Sequence, residues 1–490
     1  MNLLDDKWIP VLDRGQYRDI DLETLLTQEA HLSLSLSRDD MESAALQLLI
    51  ALTQTLFTPA DRATYRRRLC TPLTPAEYRA AVDKYRHWFE LFHPQTPFMQ
   101  TRGVTADEPT PIQKLFVGLP AGISPTFLNK IDTIRRVCPR CAAIALFNQA
   151  SGAPSFGGGF KHPLRGNGPI TTLIAGHHLR GTVWLNVLTQ DTIRQHYPPL
   201  AVPPTPTWID PLLRHASYRA QEIGLIRGLW WQPHRLELLP SAVGGYCEAC
   251  QGHSPRLIPT FRKQPFSFEV EGCWRHPHSP RQWELKQGAP ERVRIRTFNT
   301  TAPTWTQLGH FLLAGTNDEP ALVVQQGYDL LPESMAIRLL VSGYRTKQSQ
   351  VLERRHERFT IPLMWPDHAG IRLLEAGLCF AQAVRKTLRG QLYYAGKLLG
   401  APVQGEVERR FDSGSRALVH DLFTEMTRRE RQLAMAQFHE AITRLANALF
   451  EQAVAPYQHT PRGIAACAPI RAHLWRKLAA LPRGETHDGR

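Results

Sequence analysis

Residues 362–392 read PLMWPDHAGIRLLEAGLCFAQAVRKTLRGQL, and the texture of the chain changes inside this stretch. Pro362 and Pro366 close a region of short, turn-broken runs. Beyond them Leu374, Leu378, Ala381, Leu388 and Leu392 fall on one helical face. The same pattern returns at Phe438, Ile442, Leu445 and Leu449. Breaks are expected at Gly400-Ala401-Pro402, at Asp412–Ser415 and around Pro456–Gly463. That divides the region into about four helices, so residues 366–490 are expected to form a C-terminal antiparallel four-helix bundle.

Upstream of this stretch the pattern differs. The 38 prolines concentrate in the first three quarters, as in PPLAVPPTPTWIDP at 198–211. Strand-like runs alternate with turn clusters, among them Gly181–Leu188, Ile223–Trp231 and Phe266–Val270. One early helix is expected over Asp40–Leu56, with Ser37 or Asp39 as N-cap and Pro59 just beyond its end. Residues 1–365 therefore read as one large, loop-rich mixed domain, and the fold class as α+β.

The 490 residues carry 58 Lys and Arg against 44 Asp and Glu, a net charge of +14. Such an excess favours a polyanionic partner, either nucleic acid or an anionic membrane surface. Residues 367–490 hold 18 basic and 12 acidic side chains, so the expected bundle is denser in positive charge than the rest. An apolar share of 42% with 21% charged residues excludes a largely disordered chain. No run approaches the ~18 apolar residues of a membrane span. The opening MNLLDDKWIPVL lacks the pattern of a signal peptide, and eight cysteines are too few for a disulfide scaffold. A reducing, cytoplasmic setting is the expectation. HExxH, GxSxG, helicase boxes and paired acidic nuclease signatures are all missing, so no enzyme activity is expected.

Three local signals remain. Cys138-Pro-Arg-Cys141 and Cys247-Glu-Ala-Cys250 each put two thiols on one tight turn. Four thiolates suit a closed, structural zinc site that would tie two distant segments together; two unrelated turns or a redox pair are the alternatives. APSFGGGFKHPLRGNG at 153–168 holds Gly157, Gly158 and Gly159, where backbone amides can approach another molecule closely. Lys161 and Arg165 follow, which fits a phosphate-bearing partner, but a flexible surface turn fits the same residues. SGYRTKQSQVLERRHER at 342–358 places a polar, basic turn between apolar strands, followed by Arg354, Arg355 and Arg358. It reads equally as a hairpin entering a nucleic-acid groove and as a solvated loop. His276 and His278 lie in a proline-rich turn with no third metal ligand nearby.

Read in order, several stretches resemble the CasA family, the large subunit of the type I-E CRISPR Cascade complex. They are MNLLDDKWIPV (1–11), SLSRDDMESAALQLL (35–49), QTPFMQT (95–101), AIALFNQASGAPSFGGGFKHPLRG (143–166) and IRGLWWQPHRLEL (226–238), then HPHSP (276–280), TTAPTWTQ (300–307), GYRTKQSQVLERRH (343–356) and QAVAPYQH (452–459). The resemblance runs over essentially the whole chain. It implies a non-enzymatic subunit that recognises the protospacer-adjacent motif (PAM) of duplex DNA, helps start unwinding and positions a trans-acting helicase–nuclease. The other Cascade subunits and the guide crRNA are its implied partners, and no membrane is. The family's glycine loop corresponds to Gly157, Gly158 and Gly159, with Gly158 the implied backbone contact. Its glutamine wedge corresponds to Gln348, preceded by Thr346 and Lys347, where family members carry asparagine at the second of these positions. A family lysine falls at Pro265, which leaves Lys263 or Lys347 to replace it. The family's zinc ligands correspond to Cys138, Cys141, Cys247 and Cys250, and Phe127–Arg136 to a loop near the guide's 5′ end. A basic scaffold subunit without PAM readout is the competing expectation.

Overall fold

Helix α1 (Asp39–Phe57) is the spine of the first part of the chain. Asp39, Asp40 and Glu42 crowd its first turn, where negative charge complements the helix dipole. Its N-cap is Arg38 with no side-chain cap bond, so neither Ser37 nor Asp39 takes that role. Burial runs around most of its circumference, from Asp40 to Gln54, because other elements pack on several sides of it. The structure is a computed structural model. It describes residues 1–482 except 30, 107, 118–132, 200–204, 287, 288, 316, 333, 348, 365, 366, 402, 404, 405 and 427–430.

The chain divides into two units. The first comprises Met1–Thr300, Thr316–Leu331 and Arg338–Phe359; the second comprises Thr301–Gly315, Pro332–Ile337 and Thr360–Arg490. In the first unit the sheets are small. Strand β1 (Thr110–Pro111) sits at one edge of a three-stranded sheet. Helix α2 (Pro139–Ser151) packs on α1. Strand β2 (Thr171–Ile174) belongs to a second sheet. Strand β3 (Arg235–Leu239) and the short pair β4 (Gly245–Tyr246) and β5 (His253–Ser254) precede β6 (Thr260–Gln264). The first sheet has the order β1–β6–β3, antiparallel throughout. The long hairpin β7 (Ala336–Lys347) and β8 (Gln350–Met364) makes up the second with β2, in the order β8–β7–β2. An aromatic cluster of Phe89, Phe98, Trp208 and Trp230, with ring centroids 5.1–6.4 Å apart, fills part of the core.

Two expected strands are helices. Gly181–Leu188 overlaps a helix at Leu179–Leu185, capped by His178 Nδ1, which accepts from the Gly181 amide at 3.0 Å. Ile223–Trp231 contains a helix at Leu225–Leu229, with Gly228 lying against the Trp274 ring. Both are short apolar runs buried on nearly all sides, and such runs have no periodicity that separates helix from strand. Of Phe266–Val270 only the end joins a strand, Glu269–Glu271, parallel to Ser217–Arg219.

Among its described residues the second unit holds four long helices: α3 (His368–Leu399), α4 (Val407–Glu425), α5 (Arg431–Val454) and α6 (Pro461–Ala479). The Asp367 side chain caps α3 by accepting from the Gly370 amide at 2.9 Å, and Arg431 pairs with the same carboxylate at 2.6 Å. Gly400, at φ +66°, ends α3 in the left-handed conformation. Leu374, Leu378, Ala381, Leu388 and Leu392 are all buried, as their spacing requires. α3 packs on the three other helices, with the Phe380 and His439 rings 4.2 Å apart. Asp412–Ser415 is not a break: it lies inside α4, where Asp412 accepts from Arg385 at 2.6 Å and Ser415 is buried. α4 runs on to Glu425, with Met426 as its C-cap.

Candidate nucleic-acid interface and metal centre

The glycine loop begins where α2 ends. Ala153 and Pro154 are buried, and the loop then emerges at Phe156. Gly157, Gly158 and Gly159 all have positive φ, at 77°, 52° and 85°. Consecutive left-handed residues cost an L side chain ~1–2 kcal/mol each, so glycine is required here. No atom lies within 4 Å of where a Cβ would project from any of the three. The backbone thus faces open space, and Gly158 and Gly159 are exposed.

The loop stands on an aromatic and cationic base. Phe156 and Phe160 bracket the glycines, with ring centroids 5.4 Å apart and near-perpendicular. His234 presses on both rings, at 5.0 and 5.8 Å, and Phe261 meets Phe156 at 6.1 Å. Lys263 is two residues beyond Phe261 on β6, hence on the same face of the sheet. Its ammonium lies 4.6 Å from the Phe160 centroid and 5.6 Å from that of Phe156, close enough for a cation–π contact. Burial lowers the Lys263 pKa, and the neighbouring charge of Lys114 adds to this. Burial also pulls His234 down to about 3, so its ring is neutral. Lys161 is half-buried, just beyond Phe160.

Arg165 is not available to a phosphate. It is 2% exposed, and its guanidinium donates to Ser279 at 2.8 Å, to Gln47 at 2.8 Å and to Thr171 at 2.5 Å. It fastens the end of the loop to α1 and β2.

The hairpin is fixed beside this segment. Leu339–Ser342 of β7 pair antiparallel with Thr171–Ile174 of β2. Gly168 lies so close to β7 that a Cβ would stand 2.8 Å from the Tyr344 carbonyl and 3.0 Å from the Thr346 methyl. The Tyr344 hydroxyl accepts from Asn148 at 2.8 Å and donates to Asp40 at 3.2 Å, tying the hairpin to α2 and α1. The basic cluster is paired with carboxylates of the protein, although Arg358 stays 70% exposed. Arg345 and Arg355 both bond Glu353, at 2.8 and 3.0 Å. Arg354 lies 3.3 Å from Asp39, and Arg358 lies 3.8 Å from Glu42. Lys347 is exposed at the end of β7. Gln348 lies outside the described residues; Ser349, at φ +65°, then turns the chain into β8.

The four cysteines converge. Their sulfurs all lie within 4.8 Å of one another, and Cys138 Sγ is 3.7 Å from Cys250 Sγ. Cys138 is the N-cap of α2 and Cys141 lies in its first turn. Cys247 and Cys250 sit between β4 and β5, where the Cys247 amide donates to Gly252 at 2.9 Å and its carbonyl accepts from Gln251 at 2.8 Å. Reciprocal backbone bonds between Val137 and Ile258, at 3.1 and 2.8 Å, hold the two segments in register. Glu248 also accepts from the amides of Arg135 and Arg136. Four thiols this close cannot all ionise against one another, whereas a divalent cation among them removes the conflict; the set has the ligand type and number for a tetrahedral metal. Residues 127–132 of the expected guide-proximal segment lie outside the described residues; 133–136 lead directly into Cys138.

Phe156, Phe160, His234 and Lys114 were not singled out in the sequence, although SFGGGF displays the two phenylalanines plainly. Among the described residues no helix is long and apolar enough to cross a membrane.

The fold of this chain, with its mixed unit and its helical bundle, is shared with solved CasA and Cse1 proteins. The CasA (Cse1) structure from Thermus thermophilus superposes with a TM-score of 0.75 at 19% identity, over 98% of this chain and 99% of that one. A chain of a CRISPR RNA-guided surveillance complex matches with a TM-score of 0.72 at 16% identity, over 97% and 99%. In sequence, the CRISPR-associated protein CasA/Cse1 of Thermus thermophilus is 27% identical over 384 residues, which is 74% of this chain and 71% of the relative. The family profile described as CRISPR-associated protein Cse1 matches residues 2–449. The chain belongs to the Cse1 family.

Proposed function

We propose that this protein is the large subunit of a type I-E CRISPR surveillance complex (Cascade), and that it reads the PAM of duplex DNA. The observation that carries this reading is the glycine loop with Lys263 laid across its two flanking phenylalanines. Open left-handed backbone presents amide donors without side chains in the way, which suits close approach to a groove floor. The minor groove shows a degenerate pattern of acceptors, so amides and a lysine read it loosely, and several PAM sequences are accepted.

Lys263 fills the place of the family lysine that falls at Pro265, and Lys347 acts at the hairpin tip. Gln348 is the wedge that separates the first base pair. Its unstacking cost of a few kcal/mol is offset by contacts elsewhere on the duplex. Thr346, whose methyl lies near the Gly168 backbone, sets the hairpin's height relative to the loop. Guide pairing then supplies sequence specificity, a division of labour known in other RNA-guided effectors. The partners are the other Cascade subunits, the crRNA, PAM-containing DNA and a trans-acting helicase–nuclease recruited after binding. The chain catalyses nothing itself and works in the cytoplasm. Zinc is the metal we assign to Cys138, Cys141, Cys247 and Cys250, in a structural role, because four sulfur ligands leave no open position. The basic scaffold reading has no use for an exposed, left-handed glycine loop.

A mobility-shift assay with reconstituted complex tests this. Gly158→Asp places a carboxylate at the groove and an L side chain at φ +52°. It and Gln348→Ala are each expected to weaken PAM-dependent binding while guide binding survives. Unchanged target affinity in both would sink the assignment.

A further inference from the structure

A cavity of about 310 Å³ opens in the first unit, lined in part by His234, whose ring also packs on Phe156 of the glycine loop. That volume matches the smaller end of small-ligand sites. Two of the stretches that carry the family resemblance meet there, and apart from His234, which also supports the glycine loop, their residues are not used by the PAM reading. QTPFMQT contributes Gln95, Gln100 and Thr101; the second stretch contributes Gln232, His234 and Arg235. The first is held in a strained form, since Met99 has φ +52°, a left-handed conformation costly for methionine. Gln100 holds it there: its amide nitrogen donates to Leu91 at 2.7 Å, and its oxygen accepts from the Leu238 amide at 2.8 Å.

The lining has a particular chemistry. Trp208 and Phe266 supply aromatic surface, and the Arg235 guanidinium lies over the Phe266 ring, 4.5 Å from its centroid. Arg102, 59% exposed, adds a second guanidinium, and Glu237, to which it is paired, is 8% exposed. The Gln232 side-chain oxygen accepts from Thr207 at 3.3 Å, but its Nε2 has no partner among the described residues, although Gln232 is only 9% exposed. His234 is 3% exposed, and no hydrogen bond of full geometry reaches either ring nitrogen, the Lys161 backbone being a weak neighbour. Buried amide and imidazole groups without partners are costly unless something is bound. Aromatic faces, an unmatched amide donor and two guanidiniums describe a site for a flat heterocycle carrying a phosphate.

We infer that this cavity holds a single nucleotide, its base among Trp208, Phe266 and Gln232 and its phosphate at Arg102 and Arg235. The nucleotide comes from one of two sources: a free mononucleotide, or a base extruded from DNA held at the neighbouring glycine loop. Only the second rests on the PAM reading. Base extrusion is the general solution when a protein must hold one nucleotide out of a stack.

Two measurements separate the sources. The full chain is titrated with each of the four deoxynucleoside monophosphates. Reconstituted complex is then bound to target duplexes carrying 2-aminopurine at successive positions flanking the PAM. Free-nucleotide binding, or 2-aminopurine brightening at one position, supports the site and names its source. Either signal should weaken about tenfold in Gln232→Leu, the loss expected for one buried hydrogen bond. It should vanish in Thr101→Trp, which fills the cavity from its rim. Both variants are checked for unchanged thermal unfolding, and Arg235→Ala serves where one of them fails to fold. No binding and no brightening in wild type, or signals indifferent to all three substitutions, overturn the inference. Failure of the PAM reading is distinguishable, because it removes PAM preference in the mobility shift and leaves the mononucleotide titration intact.

Discussion

Gly168 joins the two ends of the candidate DNA site. It has φ +69°, and a Cβ there would meet the Tyr344 carbonyl at 2.8 Å and Thr346 at 3.0 Å. Both objections apply at once, so Gly168→Ala should cost about 1–3 kcal/mol of stability. Urea unfolding of the purified chain checks this; a loss under about 0.5 kcal/mol would mean that the segment relaxes freely. Gly158 makes the useful contrast, because its surroundings are empty and only its backbone conformation resists a side chain. Lys263 shows what the sequence conceals at this scale. A lysine flanked by Arg262 and Gln264 carries no mark of a cation–π site, since its ring partners lie about a hundred residues earlier. Arg165 misleads in the opposite direction: it follows a glycine loop as a phosphate-binding arginine would, yet it is an interior clamp.

At the scale of elements, periodicity was a good guide and composition a poor one. The α3 residues Leu374 to Leu392 declare one buried face because the helix is long and its other side is polar. Asp412, Ser413, Gly414 and Ser415 look like a turn but continue a helix. Gly414 lets Leu445 approach, and Asp412 pairs with Arg385; tertiary contacts outweigh local turn preference. The hairpin's arginines belong to the same lesson, since their carboxylate partners include Asp39, Asp40 and Glu42 on α1, some three hundred residues away. The cysteine pairs were legible because two CxxC spacings are rare together; that they meet at one point is a result of the fold. Metal analysis should find about one equivalent of zinc per chain, lost in Cys247→Ser together with part of the first unit's stability. A metal-free chain with an unchanged unfolding curve would reject the site.

For the first unit as a whole, three buried histidines set the response to acid. Burial lowers His234 and His278 to about 3, and it lowers His276 well below its ordinary value. In the unfolded chain each titrates near 6.5. Between those values the unfolded chain binds protons that the folded chain refuses. Stability is therefore whole above pH 6.5 and falls as the pH drops, by about 2 kcal/mol per histidine at pH 5. Urea midpoints measured at pH 7.5 and pH 5 should show this fall; equal midpoints would place the histidines in contact with solvent.

The sulfur cluster also has a topological meaning. Cys138 and Cys250 are 112 residues apart, so a bridge between them closes a ring in the chain. The glycine loop, Arg165 and β3 all lie on that ring. Closing a loop of this length withdraws about 4 kcal/mol of freedom from the unfolded chain. Removing a metal from the four sulfurs would open that ring and return the freedom to the unfolded chain, in the very segment that carries Gly157–Gly159. A bridge at the four sulfurs would thus favour the folded form of the loop's segment by restricting the unfolded chain alone.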